Sequence, residues 1–148
     1  MSLAINEYHW NDLSVGLCHE FQATITEIMM KHFLMDSGDC NPLHVNTTYA
    51  KQSGFKSHVV YGLLTSSFYS TLVGVHLPGK FCLLHGIDIS FIKPVYIGDK
   101  LTVSGQITYV NNAYKQAEIS AMIVNMNGEK VSKAKIKIGI VNEQGIPL

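Results

Sequence analysis

The sequence predicts an α+β fold, one domain over residues 1–148 in which a curved antiparallel sheet wraps around a single buried helix. Residues 59–77 contain no charged side chain. Leu63, Leu64, Phe68, Tyr69, Leu72 and Val73 recur there among serines and threonines, so a helix over this run is apolar nearly all round and has to be covered. Beyond residue 80 the apolar period shortens toward two, with many β-branched residues in four segments cut by turn signals, and these supply the covering sheet. At 148 residues with 47% hydrophobic content the chain is long enough for one core.

A first strand is expected over 15–25, with Leu17, His19, Phe21, Ala23 and Ile25 on one side. From 26 to 37 a helix follows. Thr26, with Glu27 close behind, opens it; Ile28, Met29, His32, Phe33 and Met35 recur at steps of three and four; Gly38 ends it. Asp39 then sits on a loop. After His44, Asn46 is placed to cap a short helix through Thr47, Tyr49, Ala50 and Lys51 that stops at Ser53 and Gly54. The run 59–77 is just long enough to span a bilayer, but its hydroxyls, internal glycines and flanking histidines favour a core helix. Strands are expected over 81–92, 100–110, 115–126 and 130–141, separated by Pro94, Gly98-Asp99, Asn111-Asn112 and Asn127-Gly128.

Eleven basic and eleven acidic residues give a net charge of zero, and no basic stripe forms, which argues against nucleic acid or an acidic membrane as partner. Cys18, Cys40 and Cys82 are odd in number and lack a paired spacing, which suits a reducing cytoplasm. The amino terminus has neither the basic start nor the apolar core of a signal peptide, and its first residues read as an addition foreign to the natural chain.

The chemistry concentrates in residues 33–44, Phe-Leu-Met-Asp-Ser-Gly-Asp-Cys-Asn-Pro-Leu-His. Asp39 and His44 are the residue types that carry protons near neutral pH. Asn41, preceding a proline, is held extended or in a turn, so the two cannot share one regular helix and are displayed by a loop around a water-sized gap. An isolated Asp-x-Asn-Pro would also suit a simple Asx turn beside a core histidine. No metal is expected, because Asp36, Asp39 and His44 lack a second histidine at ligand spacing. Cys40 with His44 as a nucleophile and its base finds no other support in the chain.

These residues carry a resemblance. Residues 33–50 resemble the hydratase-2 signature of the MaoC-like (R)-specific enoyl-CoA hydratases and 3-hydroxyacyl dehydratases: an aromatic residue, then Ser/Gly-Gly-Asp-x-Asn-Pro-Leu-His, then Ala six residues on, here Ala50. The similarity continues through Val-Tyr-Gly-Leu-Leu at 60–64, Leu-Pro-Gly at 77–79, Ser-Phe-Ile-Lys-Pro-Val at 90–95 and Gly98-Asp99.

The resemblance implies a hot-dog fold, a homodimer with sites near the subunit interface, and Asp39 and His44 as the pair that activates water for addition to a trans-2-enoyl thioester. Gly62 matches the position whose backbone N–H receives the thioester carbonyl, and the helix dipole would add to it. Asn41 would brace the loop, and Tyr61, Leu63 and Ser70 would lie along the substrate. Tyr61 departs from the histidine common at that position. Ser70 could equally bond back to its own helix.

No separate cofactor is implied, since CoA or phosphopantetheine enters as part of the substrate, with an acyl carrier protein as a possible donor. Lys56, Lys80 and Lys93 are candidates for phosphate contacts, and Leu63, Phe68 and Leu84 for setting pocket depth. Two rivals stay open, a hot-dog acyl-thioester hydrolase and a non-catalytic acyl-thioester binding subunit.

Overall fold

The computed structural model describes residues 4–148; the expectation of an added start falls on amino-terminal residues of which the first three lie outside the described residues. After a 3-10 turn at Trp10–Asp12 come β1 (Cys18–Thr24), α1 (Glu27–Ser37), α2 (Pro42–Val45), α3 (Thr47–Gln52) and α4 (Gly62–Thr71), the last running into a π-helical turn at Leu72–His76. Then follow β2 (Cys82–Phe91), β3 (Lys100–Asn111), β4 (Gln116–Val124) and β5 (Lys130–Ile140). The five strands make one antiparallel sheet in the order β1-β3-β4-β5-β2. The curved sheet and central helix are those of a hot-dog fold.

Alternation builds the core face. On β1 the side chains of Cys18, Glu20, Gln22 and Thr24 are exposed while His19, Phe21 and Ala23 turn inward. Ile107 of β3 lies opposite Ile119 of β4, which lies opposite Ile136 of β5, and all three are fully buried. A row of small residues, Gly105, Ala121 and Ala134, crosses the same three strands. Leu72 sits over its Gly105 end, where a Cβ would come within 2.7 Å of the leucine. Absence of a side chain there lets the helical segment settle onto the sheet.

Local signals end the elements as expected. Thr26 caps α1 by accepting from the Met29 N–H, and Gly38 closes it at φ 70°. Asn46 caps α3 through the Tyr49 N–H. At the β4–β5 turn the Asn125 side chain accepts from the backbone N–H groups of Asn127 and Glu129.

Four expectations need correction. The helix expected over 59–77 begins only at Gly62, because the Val59 and Val60 N–H groups donate to the Leu43 and Val95 carbonyls and hold that stretch extended. It is not covered all round either: Leu64, Thr65, Tyr69, Leu72 and Val73 are buried, whereas Leu63, Ser67, Ser70 and Gly74 face outward. One sheet covers one side of a helix, and the hydroxyls of Thr65, Ser66 and Ser67 bond back to the carbonyls of Gly62, Gly62 and Leu64. On α1 the buried residue is Met30, with Met29, Phe33 and Leu34 packed beside it, while Ile28 and Met35 are exposed. Finally, His44 stands on the short helix α2 instead of a loop.

Candidate active site

The segment that displays Asp39 is organised by its own polar groups. Past Gly38, the Asp39 N–H donates to Ser37 Oγ at 3.2 Å, and Asp39 Oδ1 accepts from the Asn41 N–H at 3.1 Å. Asn41 Oδ1 in turn accepts from the Leu43 N–H at 2.9 Å and so caps α2, with Pro42 at the first helical position. The side chain of Asp39 thus forms an Asx turn while its carboxylate remains exposed.

His44 is fixed from the opposite side. Its Nδ1 lies 2.7 Å from the Val59 carbonyl oxygen, and the Val59 N–H returns a bond to the Leu43 carbonyl at 2.9 Å. Only a protonated Nδ1 can donate to a carbonyl, so the neutral imidazole keeps its lone pair on Nε2. The ring of Tyr61 packs 4.2 Å from the His44 ring and 4.7 Å from the Phe33 ring, centroid to centroid. Its hydroxyl donates to the Asp39 backbone carbonyl at 2.7 Å. Burial, followed by the charges of Asp39 and Cys40, raises the Tyr61 pKa above its ordinary value, which keeps the phenol a neutral donor.

Gly62 opens α4 directly after Tyr61. The Tyr61 carbonyl accepts from the Leu64 and Thr65 N–H groups, and no Tyr61 side-chain bond caps the helix. The first amides of such a helix have no intrahelical acceptor, and they carry the positive end of the dipole. A Cβ on residue 62 would come 2.9 Å from the Phe91 ring, so glycine lets that ring lie against the helix start.

Asp39, His44, Tyr61, Gly62 and Leu63 line one cavity of about 440 Å³. Its walls are otherwise mostly apolar, with Phe91, Val95 and Val131 among them. Asn41 does not line it and acts on the backbone of α2. Ser70 lies outside it on the exposed face of α4. Phe68 packs edge-on against Phe21, and Leu84 is half exposed on β2, so neither of these sets the depth of this cavity. Lys80 is remote, paired with Glu7.

Residues that sequence reading missed include Thr65, a buried hydroxyl in the wall, and Phe91, whose place in the quoted 90–95 segment was the only signal. Among the described residues no group of three or more His, Cys, Asp or Glu side chains converges as a metal site, and no helix is long and apolar enough to cross a membrane.

Fold and site together define a hot-dog domain that sets a carboxylate and an imidazole against the start of a helix across an apolar cavity. A family profile described as "MaoC like domain" matches residues 16–129. The chain belongs to this MaoC-like family. It is 34% identical over 92 residues to an (R)-specific enoyl-CoA hydratase of Aeromonas caviae, covering 62% of this chain and 69% of the relative. With a 3-hydroxybutyryl-CoA dehydratase of Methylorubrum extorquens it shares 26% identity over 134 residues, covering 87% and 85%. The solved structure of an (R)-hydratase from A. caviae involved in PHA biosynthesis superposes with a TM-score of 0.83 at 27% identity, covering 87% of this chain and 98% of that one.

Proposed function

We propose that the protein is a hydro-lyase that adds water to a trans-2-enoyl thioester to give the (R)-3-hydroxyacyl thioester, and that it catalyses the reverse dehydration. The observation that carries this reading is the convergence of Asp39, His44 and Gly62 on one apolar cavity. Water is a poor nucleophile, and the alkene accepts it only while negative charge can move onto the thioester oxygen. Asp39 and His44 hold the water, and His44 Nε2 takes a proton as the oxygen adds to carbon 3. The pair returns a proton to carbon 2. The Gly62 amide, at the positive end of α4, receives the charge on the carbonyl oxygen. In the reverse direction the same groups remove the carbon 2 proton and protonate the departing hydroxyl.

No further cofactor enters this scheme, and the CoA or phosphopantetheine arm arrives with the substrate. A homodimer belongs to the reading. It is supported by Leu63, Phe91 and Ile92, which are 66%, 54% and 48% exposed around the cavity, and by Ile87, exposed farther along the same edge strand. Three free cysteines are consistent with work in the cytoplasm, within fatty-acyl metabolism.

Incubation with crotonyl-CoA tests the reaction. Loss of enoyl absorbance without release of thiol, with an (R)-configured product, is the expected result. The variant D39N should fold and still bind while losing roughly a thousandfold in kcat. Thiol release would instead support the hydrolase, and inertness toward enoyl thioesters of every chain length would leave only a binding subunit.

A further inference from the structure

Near the cavity wall, Ile123 of β4 pairs with Ser132 of β5 and Val124 pairs with Lys130, which leaves Val131 as the extra residue of a bulge. Two consecutive side chains are consequently buried, Val131 in the wall and Ser132 against α4. The Ser132 hydroxyl meets the Tyr69 hydroxyl at 2.7 Å, and both residues are 1% exposed. Burial raises the Tyr69 pKa above its ordinary value, against a smaller lowering by the Ser132 hydroxyl, so the bond joins two neutral groups. The hydroxyls of Thr65, Ser66 and Ser67 turn back into their own helix, whereas this one ties α4 to the sheet.

Ser132 is also the ladder partner of Phe91 on β2, whose ring lies against Gly62. The contacts close a circuit. It runs from Gly62 two turns along α4 to Tyr69, about 10 Å, then to Ser132, across the ladder to Phe91 and back to Gly62. Val131 is held in the same circuit, because its carbonyl accepts from the Ile92 N–H at 2.9 Å and the Lys93 N–H at 3.2 Å. Neither Tyr69 nor Ser132 lines the cavity.

From this circuit we propose that Tyr69 and Ser132 are positioning residues, whose buried bond sets where the Gly62 amide stands relative to the Val131 wall and so how well it meets the thioester oxygen. Apolar contact between a helix and a sheet is non-directional, whereas a hydrogen bond fixes one distance and one direction. Stabilisation of the developing charge depends on that placement, since the donor has to stand where the oxyanion forms. The bulge thus gives adjacent residues separate tasks, one facing the cavity and one holding the helix.

The inference rests on the hydratase reading, and the experiment separates the two. Wild type, Y69F, S132A, S132T and Y69F/S132A are assayed with crotonyl-CoA, and their thermal unfolding is followed. The expected result is a kcat lowered roughly tenfold or more in Y69F and in S132A, no lower in the double variant, with KM within about twofold. The limbs of the pH profile of kcat/KM should stay in place, because Asp39 and His44 are untouched. S132T keeps the hydroxyl and should retain most of kcat. Each single deletion leaves one buried hydroxyl unpaired and the double variant leaves none, so stability should recover in the double variant while kcat does not. The isotope-labelled thioester carbonyl of crotonyl-CoA bound to D39N should also shift to higher infrared frequency when S132A is added, as its hydrogen bond weakens.

Wild-type kcat in a folded single variant, a loss carried by KM, a kcat that recovers with stability, or an unmoved carbonyl stretch would overturn the positioning role and leave hydration intact. Y69F and S132A each delete one oxygen, and if one fails to fold the other carries the test. If the wild type does not hydrate crotonyl-CoA, the hydratase reading fails, and the carbonyl stretch, compared between wild type and S132A, still decides whether the bond places the amide.

Discussion

The Tyr61 hydroxyl donates to the backbone carbonyl of Asp39 at 2.7 Å, and the ring that carries it lies 4.2 Å from His44. One buried side chain therefore touches both proposed proton carriers without presenting a titrating group to the substrate. The resemblance read from the sequence expects histidine at this position, yet here the tyrosine ties the loop to α2.

Removing only that hydroxyl separates positioning from binding. The variant Y61F should lose about 1 kcal/mol of stability, the usual worth of one hydrogen bond. With the loop less firmly held, kcat should fall between roughly tenfold and a hundredfold while KM moves little. A variant with wild-type kcat would show that the phenol is dispensable to the pair.

Gly62 is expected to tolerate alanine in the fold and not in the site. A Cβ there meets the Phe91 ring at 2.9 Å, and because Phe91 is 54% exposed the ring can swing away. Thermal stability of G62A should therefore change by no more than about 1 kcal/mol, while kcat/KM drops at least tenfold. If the clash is the cause, F91A in the same chain should restore part of the loss, and a double-mutant cycle measures that coupling.

Thiol chemistry should divide the three cysteines. Cys18 and Cys40 are exposed, whereas burial pushes the Cys82 thiol up to about 12. At about pH 8 a disulfide reagent should titrate two thiols promptly and the third only in denaturant, since the thiolate is the reacting form. Rapid reaction at all three would contradict the burial of Cys82.

His76 gives stability a pH dependence. Burial, and after it the charge of nearby His19, holds its imidazole below the ordinary value, and its ring stacks on Phe21 at 4.8 Å. As pH falls below about 6.5 the unfolded chain takes up a proton that the folded chain still refuses, so acid favours unfolding. This contribution is fully present above that pH and is lost down to the folded pKa. Replacing His76 by Gln should flatten the dependence of Tm on pH between about 5 and 7.

Much of this was legible in the sequence because it is local. Thr26, Gly38, Asn41 and Asn46 satisfy backbone groups within a few residues of themselves, and the strand segments announce their faces by alternation. The start of α4 was not legible. Whether Val59 and Val60 begin a helix or stay extended depends on carbonyls at Leu43 and Val95, sixteen and thirty-five residues away in the chain. Periodicity also names the residues that could be buried without saying how wide a surface receives them. Ile28, Met35 and Leu63 are exposed for that reason, and Ser70, two turns from Gly62, falls on the uncovered side.

The ties that fix the proposed pair end largely on main-chain carbonyls: His44 on Val59, Tyr61 on Asp39, and Val59 on Leu43. The side chains at 59, 95 and 131 are consequently free of that duty although they form the cavity wall. Acyl preference and proton chemistry are thus inherited through separate residues. A lineage carrying this scaffold can exchange one valine for a larger or smaller neighbour, and so change the acyl groups it accepts, while the ties that hold Asp39 and His44 stay as they are.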